Sequence, residues 1–123
     1  MTQIDQNHAA MVAELTKPAE EIIAEMTPRK ANLIHMIMGV SGETGELLDA
    51  IKKHVAYNKP IDREHIIEEL GDIEYYLQGL RAELGITRDT VLSGNISKLR
   101  KRYAKGSFSN EQAQARADKG GAE

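Results

Sequence analysis

An all-α fold, a bundle of four to five helices, is what this chain predicts, and three observations carry the prediction. Apolar residues recur at three- and four-residue spacing rather than at every second position. They are mostly Leu, Ile, Ala, Val and Met, with one Phe, four Tyr and no Trp, which suits helix packing better than strand pairing. Helix punctuation also recurs in order at Thr27-Pro28, Asp62, Gly85, Thr87 and Gly106. At 123 residues and 41% hydrophobic content the chain is long enough for one domain with its own core, expected over residues 1–106, followed by an arm over 107–123.

The first helical segment covers roughly Asp5 to Met26, with Pro18 dividing it or opening a new helix after Thr16. Thr27 then caps, and Pro28 starts, a long helix to about Val55, ended by Asn58, Lys59 and Pro60. Asp62 caps a third helix that reaches Leu84 before Gly85, a glycine suited to a left-handed stop. Thr87 caps a fourth that reaches Tyr103 and closes at Gly106. Beyond it, SFSNEQAQARADKGGAE is polar and alanine-rich and reads as a frayed short helix or a disordered arm.

The chemistry is concentrated in two pairs of acids, Glu43/Glu46 and Glu69/Asp72, each spaced i,i+3 and interrupted by glycine (Gly45, Gly71). Residues three apart share a helix face, where like charges repel. Carboxylates aimed at one point require a counter-charge, and oxygen ligands favour magnesium, with manganese able to substitute. On the long helix, Leu33, Ile37, Val40, Thr44, Leu47, Ile51 and Val55 make an apolar stripe. Beside it, Asn32, His35, Met36, Gly39, Glu43, Glu46, Ala50 and Lys53 make a pocket wall. The next helix repeats the scheme, with Ile66, Leu70, Ile73, Leu77, Leu80 and Leu84 for the core and His65, Glu69, Asp72 and Tyr76 beside it. A turn centred near Lys59 sets Glu46 and Asp72 at equal heights, and the glycines are expected to admit a close approach. Further apolar positions, Ile34, Met38 and Leu48, predict that the long helix is covered on several sides by oligomerisation.

A basic stretch, Lys98 to Lys105, reads either as a solvated helix end suited to the dipole or as a phosphate clamp, with Lys98 and Arg102 on one face and Asn95 a turn earlier. Acids, a divalent cation and a clamp together point to polyphosphate chemistry. A net charge of −3 gives no global reason to bind nucleic acid, and the absence of cysteine excludes disulfides and thiolate chemistry. No apolar run approaches a membrane span and MTQIDQNHAA lacks a signal-peptide layout, so a cytoplasmic location is expected.

SGETGEL followed by IIEELGDIEYYL resembles the E-x-x-E … E-x-x-D signature of MazG-like, all-α nucleoside triphosphate pyrophosphohydrolases, and NISKLRKRYAKGSF is similar to their N-x-x-K-x-x-x-R-Y-x-x-G-x-F tail. The resemblance covers about Leu33 to Phe108. It implies that Glu43, Glu46, Glu69 and Asp72 bind magnesium and act in catalysis. It further implies that Asn95, Lys98, Arg102 and Tyr103 hold phosphates, across a subunit boundary in a homodimer or homotetramer. Many relatives carry a glutamate directly before the first acid, where this chain has Gly42. That departure leaves open which carboxylate orients the attacking water. The expected activity is hydrolysis of a deoxynucleoside triphosphate to monophosphate and pyrophosphate. Asn32, His35 and Met36, with Tyr76 beside them, are candidates for the base and sugar pocket, and the lack of large aromatic side chains among the first three leans toward dGTP. A phage-borne, pool-cleaning member fits by analogy, and would work in the host cytoplasm. Phosphoribosyl-ATP hydrolysis and a non-enzymatic helical interaction protein are the alternatives.

Overall fold

The computed structural model describes residues 1–120; residues 121–123, the end of the expected arm, lie outside them. Every described regular element is helical: α1 (Gln3–Leu15), α2 (Ala19–Glu25), α3 (Pro28–Ala56), α4 (Arg63–Leu84), α5 (Arg88–Arg102), α6 (Asn110–Ala115) and a 3-10 turn (Ala117–Lys119).

The boundaries follow from side-chain caps. Thr2 and Asp5 form a reciprocal capping box on α1, and Pro18 separates α1 from α2. Hydroxyl or carboxylate oxygens of Thr27, Asp62 and Thr87 accept from the backbone N–H three residues on, at 3.1–3.2 Å, and so start α3, α4 and α5. Asn58 ends α3 in the left-handed region at φ 51°. Gly85 (φ 65°) does the same for α4, with the Ile86 N–H bonding back to the Arg81 carbonyl at 2.9 Å.

Within one chain the tertiary packing is concentrated in the α3–α4 hairpin; α5 packs on α6 and the 3-10 turn. Asn32 donates from Nδ2 to Glu83 Oε2 at 3.2 Å, a Cβ on Gly79 would collide with Met36 Sδ, and a Cβ on Gly39 would collide with the Tyr76 ring. These three facing pairs straddle one midpoint, the Tyr57–Asn58 bond. The turn is therefore centred earlier than Lys59, and the level partners are Glu43 with Asp72 and Glu46 with Glu69.

Two expectations about packing are corrected. The close approaches are made at Gly39 and Gly79, whereas a Cβ on Gly42, Gly45 or Gly71 meets nothing within 4 Å. The α3 seam is also rotated from the expected apolar stripe. Met36, Gly39, Glu43 and Ala50 join Leu33, Val40, Leu47 and Ile51 among its partly covered residues, while Ile37 and Val55 are exposed. Helix contact requires small or flexible side chains at the crossing, and Gly39 and Gly79 supply that space.

No apolar side chain among the described residues is buried within the single chain, and Glu69 is the one buried residue. The chain exposes 10083 Å², against about 6,600 Å² for a compact monomer of this mass.

Candidate metal centre

Glu43 on α3 and Glu69 and Asp72 on α4 each present a carboxylate oxygen, and these oxygens lie within 4.8 Å of one another. The helix period explains the convergence. Glu43 falls in the seam between Gly39/Val40 and Leu47, while Glu69 falls between Ile66 and Ile73, so both carboxylates enter the α3–α4 contact in place of apolar side chains. Asp72 stands level with Glu43 and closes the group from the exposed side.

The electrostatics are those of an uncompensated cluster. Glu69 is 8% exposed, and its Oε2 is buried without a hydrogen-bond partner. Its Oε1 has His65 Nε2 at 3.6 Å, too long for a good hydrogen bond. Glu43 is pushed up from its ordinary value, first because its protonated form can donate a hydrogen bond to the adjacent Glu69, then because of desolvation and the nearby charges of Asp72 and Glu69. A buried, unpartnered carboxylate oxygen facing two further carboxylates suits a hard divalent cation. Glu43, Glu69 and Asp72 are the residues that could hold one.

The other expected site residues are distributed differently. Glu46 is exposed on α3 at the level of Glu69, but it is not one of the three whose oxygens converge. Of the neighbouring acids outside the expected cluster, Asp49 pairs with Lys53 at 3.3 Å and Glu68 lies 4.0 Å from His65. In the expected base pocket, Met36 and Tyr76 are seated against glycines of the opposite helix and Asn32 is bonded to Glu83, so three of the four are hairpin contacts. His35 is exposed, 6.2 Å edge-on from Tyr76.

Asn95 and Lys98 are exposed on α5, which has no packing on α3 or α4 comparable with its contact to α6 and the 3-10 turn. Arg102 is half-buried and paired with Asp118, and Tyr103 leans on Phe108 at 5.8 Å between ring centres. Within a single chain the main packing of the basic helix is thus on α6 and the 3-10 turn, not on the hairpin that carries the acids. Sequence reasoning missed Asp118, which is 16 positions beyond Arg102 with no periodic signal between them. Gly39 as a contact for Tyr76 could have been found from the hairpin midpoint.

The MazG nucleotide pyrophosphohydrolase domain model matches residues 31–107, more than half of the chain. The chain belongs to the MazG family. The matched MazG region begins in the first turn of α3 and ends just after α5, so it contains the three convergent carboxylates and the basic helix but leaves out α1, α2, α6 and Asp118. A relative, the Gene 37 protein of Mycobacterium phage L5, is 31% identical over 78 residues, covering 60% of this chain and 68% of its own length. No solved structure matches.

Proposed function

We propose that this MazG-family chain hydrolyses a deoxynucleoside triphosphate to the monophosphate and pyrophosphate in a magnesium-dependent reaction, with dGTP the first substrate to test. The observation that carries the reading is the buried, unpartnered Oε2 of Glu69 facing Glu43 and Asp72. No helix needs that arrangement for its own stability, and a cation on the substrate phosphates relieves it.

In this reading Glu43, Glu69 and Asp72 hold the cation, and Glu46, on the level of Glu69, adds a fourth carboxylate from the solvent side. When bound, magnesium supplies positive charge against the phosphate oxygens and acidifies water for in-line attack. Lys98 and Arg102 stabilise the charge that develops on the leaving pyrophosphate, while Asn95 and Tyr103 supply hydrogen bonds to the phosphate chain. His35, on the exposed edge of the Tyr76 contact, is the residue of the expected base pocket free to meet a nucleobase. The lean to dGTP rests on the lack of a free large ring there: Tyr76 is the one large aromatic side chain in that group, and it is seated against Gly39.

In this reading the basic helix comes to the acids from another copy of the chain. Surface area supports this. The excess of the 10083 Å² over a compact monomer, roughly 3,500 Å², is several times the roughly 800 Å² that each partner gives to a standard interface. We therefore read the working unit as a homodimer or homotetramer. With a phage protein among the relatives, the host cytoplasm is where the substrate would be met.

A product-resolved assay over the common ribo- and deoxynucleoside triphosphates, with magnesium, manganese or a chelator, tests the reading. Pyrophosphate and monophosphate in equal amounts, dependent on the cation, is the expected result. Orthophosphate release, chelator-resistant turnover, or a fully active Glu69→Gln variant overturns it.

A further inference from the structure

The Arg102–Asp118 pair joins a residue of the matched region to one that lies beyond it. Asp118 sits in the 3-10 turn after α6, with its side chain 4% exposed and that of Arg102 20% exposed. The contact is side-on: Arg102 Nε donates to Oδ1 at 2.9 Å and Nη2 to Oδ2 at 3.3 Å. A guanidinium is a rigid planar fork with five N–H donors. Side-on pairing commits one edge to the carboxylate and leaves Nη1, with both its protons, outside the pair. A phosphate gripped by Arg102 must be met by that remaining edge.

We propose that Asp118 is a positioning residue for phosphate binding. It holds the Arg102 guanidinium in one plane with its Nη1 edge left outside the pair as a phosphate donor, so that the segment after α5 belongs to the substrate site although it touches no substrate. The inference rests on the reading of Arg102 as a phosphate ligand. The other role open to Asp118 is a displaceable latch, its carboxylate competing with phosphate for the same cation. The two-point contact weighs against the latch: phosphate would have to displace Arg102 from both carboxylate oxygens at once. A fixed pair requires no such displacement, and it removes the side-chain freedom that an exposed arginine would lose on binding. The pair is supported locally by the Ser109 cap on α6, whose Oγ accepts from the Gln112 N–H at 3.0 Å, and by the Tyr103–Phe108 contact across the Gly106 turn.

The test is calorimetric binding of inorganic tripolyphosphate to the full chain at fixed magnesium excess, with helix content followed in parallel. The variants are Arg102→Ala, Arg102→Lys, Asp118→Asn, Asp118→Glu and the double variant Arg102→Lys/Asp118→Asn. Positioning predicts that Asp118→Asn weakens binding roughly tenfold, about the worth of one hydrogen bond to a charged group. Asp118→Glu, which keeps the charge, should recover part of the loss, and Asp118→Asn should have no further effect once Arg102 is lysine. In turnover the loss should fall on kcat as well as on KM, because Arg102 also meets the charge that develops on the leaving pyrophosphate. Tighter binding by Asp118→Asn would establish the latch and overturn the proposal, and so would unchanged binding or additive losses in the double variant. If Asp118→Asn loses its helix content, Asp118→Glu decides, with wild-type affinity counting against positioning. A wild-type chain that ignores tripolyphosphate, or an Arg102→Ala variant that binds it normally, removes the phosphate reading itself and is told apart from a failure of Asp118 alone.

Discussion

Among the described residues, the side chains of Glu69 and Asp118 are almost wholly covered, and their surroundings are opposite. Glu69, in the α3–α4 seam, faces Glu43 and Asp72 and has a buried oxygen with no partner. Asp118, in the turn after α6, is held on both oxygens by Arg102. Accordingly Glu43, beside Glu69, is pushed up from its ordinary value, while Asp118 is pushed down from its own because of its bonds to Arg102. The difference teaches how to separate a site from a brace. A covered charge that the fold itself neutralises is structure, whereas a covered charge that the fold leaves among like charges is waiting for something from outside.

The largest test of that contrast is Glu69→Gln. It should lower turnover roughly a hundredfold or more, as loss of a group that stabilises transition-state charge does, and leave helix content by circular dichroism unchanged. Comparable activity would erase the distinction between the two regions. Next is the cation itself: magnesium at a hundredfold excess over its dissociation constant should stabilise the folded chain by about 2.7 kcal/mol. That gain, read from thermal melts with and without chelator, should be absent in Glu69→Gln and intact in Asp118→Asn.

The glycines sharpen the picture on a smaller scale. Gly39→Ala drives a methyl group into the Tyr76 ring and should destabilise by about 1–3 kcal/mol. Gly45→Ala meets open space within the chain and should raise helix stability by up to about 1 kcal/mol. A loss at Gly45, read from denaturant midpoints at several protein concentrations, would instead place that face against another copy. The smallest effect concerns acid. Because the folded-state pKa of Asp118 lies below its ordinary 3.8, the pair's stabilisation is fully present above that value and is lost as pH falls through the lower, folded-state one. Protection of the α5–α6 segment against hydrogen exchange should therefore fail only in strong acid, and Asp118→Asn should abolish that pH dependence.

The helix inventory was legible residue by residue. Thr27, Asp62 and Thr87 start helices through hydrogen bonds to N–H groups three positions away, and Gly85 stops one by its own backbone freedom. The acids stood out for an equally local reason, since like charges three apart on one helix face need an explanation. Membership of the MazG family was legible in the same acidic motifs, which lie within residues 31–107, and in the basic tail that follows them.

What one-dimensional periodicity could not supply was the rotation and register of α3 against α4. Both depend on which side chains leave room, and that room is at Gly39 and Gly79 rather than at the glycines beside the acids. A small rotation carries Met36 and Tyr76 from an expected pocket into the seam and leaves Glu46 outside the group of three. The contact between Arg102 and Asp118 was equally hidden, because it is made by a turn that brings together residues with no shared helix face. The sequence by itself determined the helices, their caps and the presence of a carboxylate cluster, because those obey interactions within four residues. Only the tertiary structure decided which carboxylates converge and which arginine is braced, because those depend on how two surfaces fit.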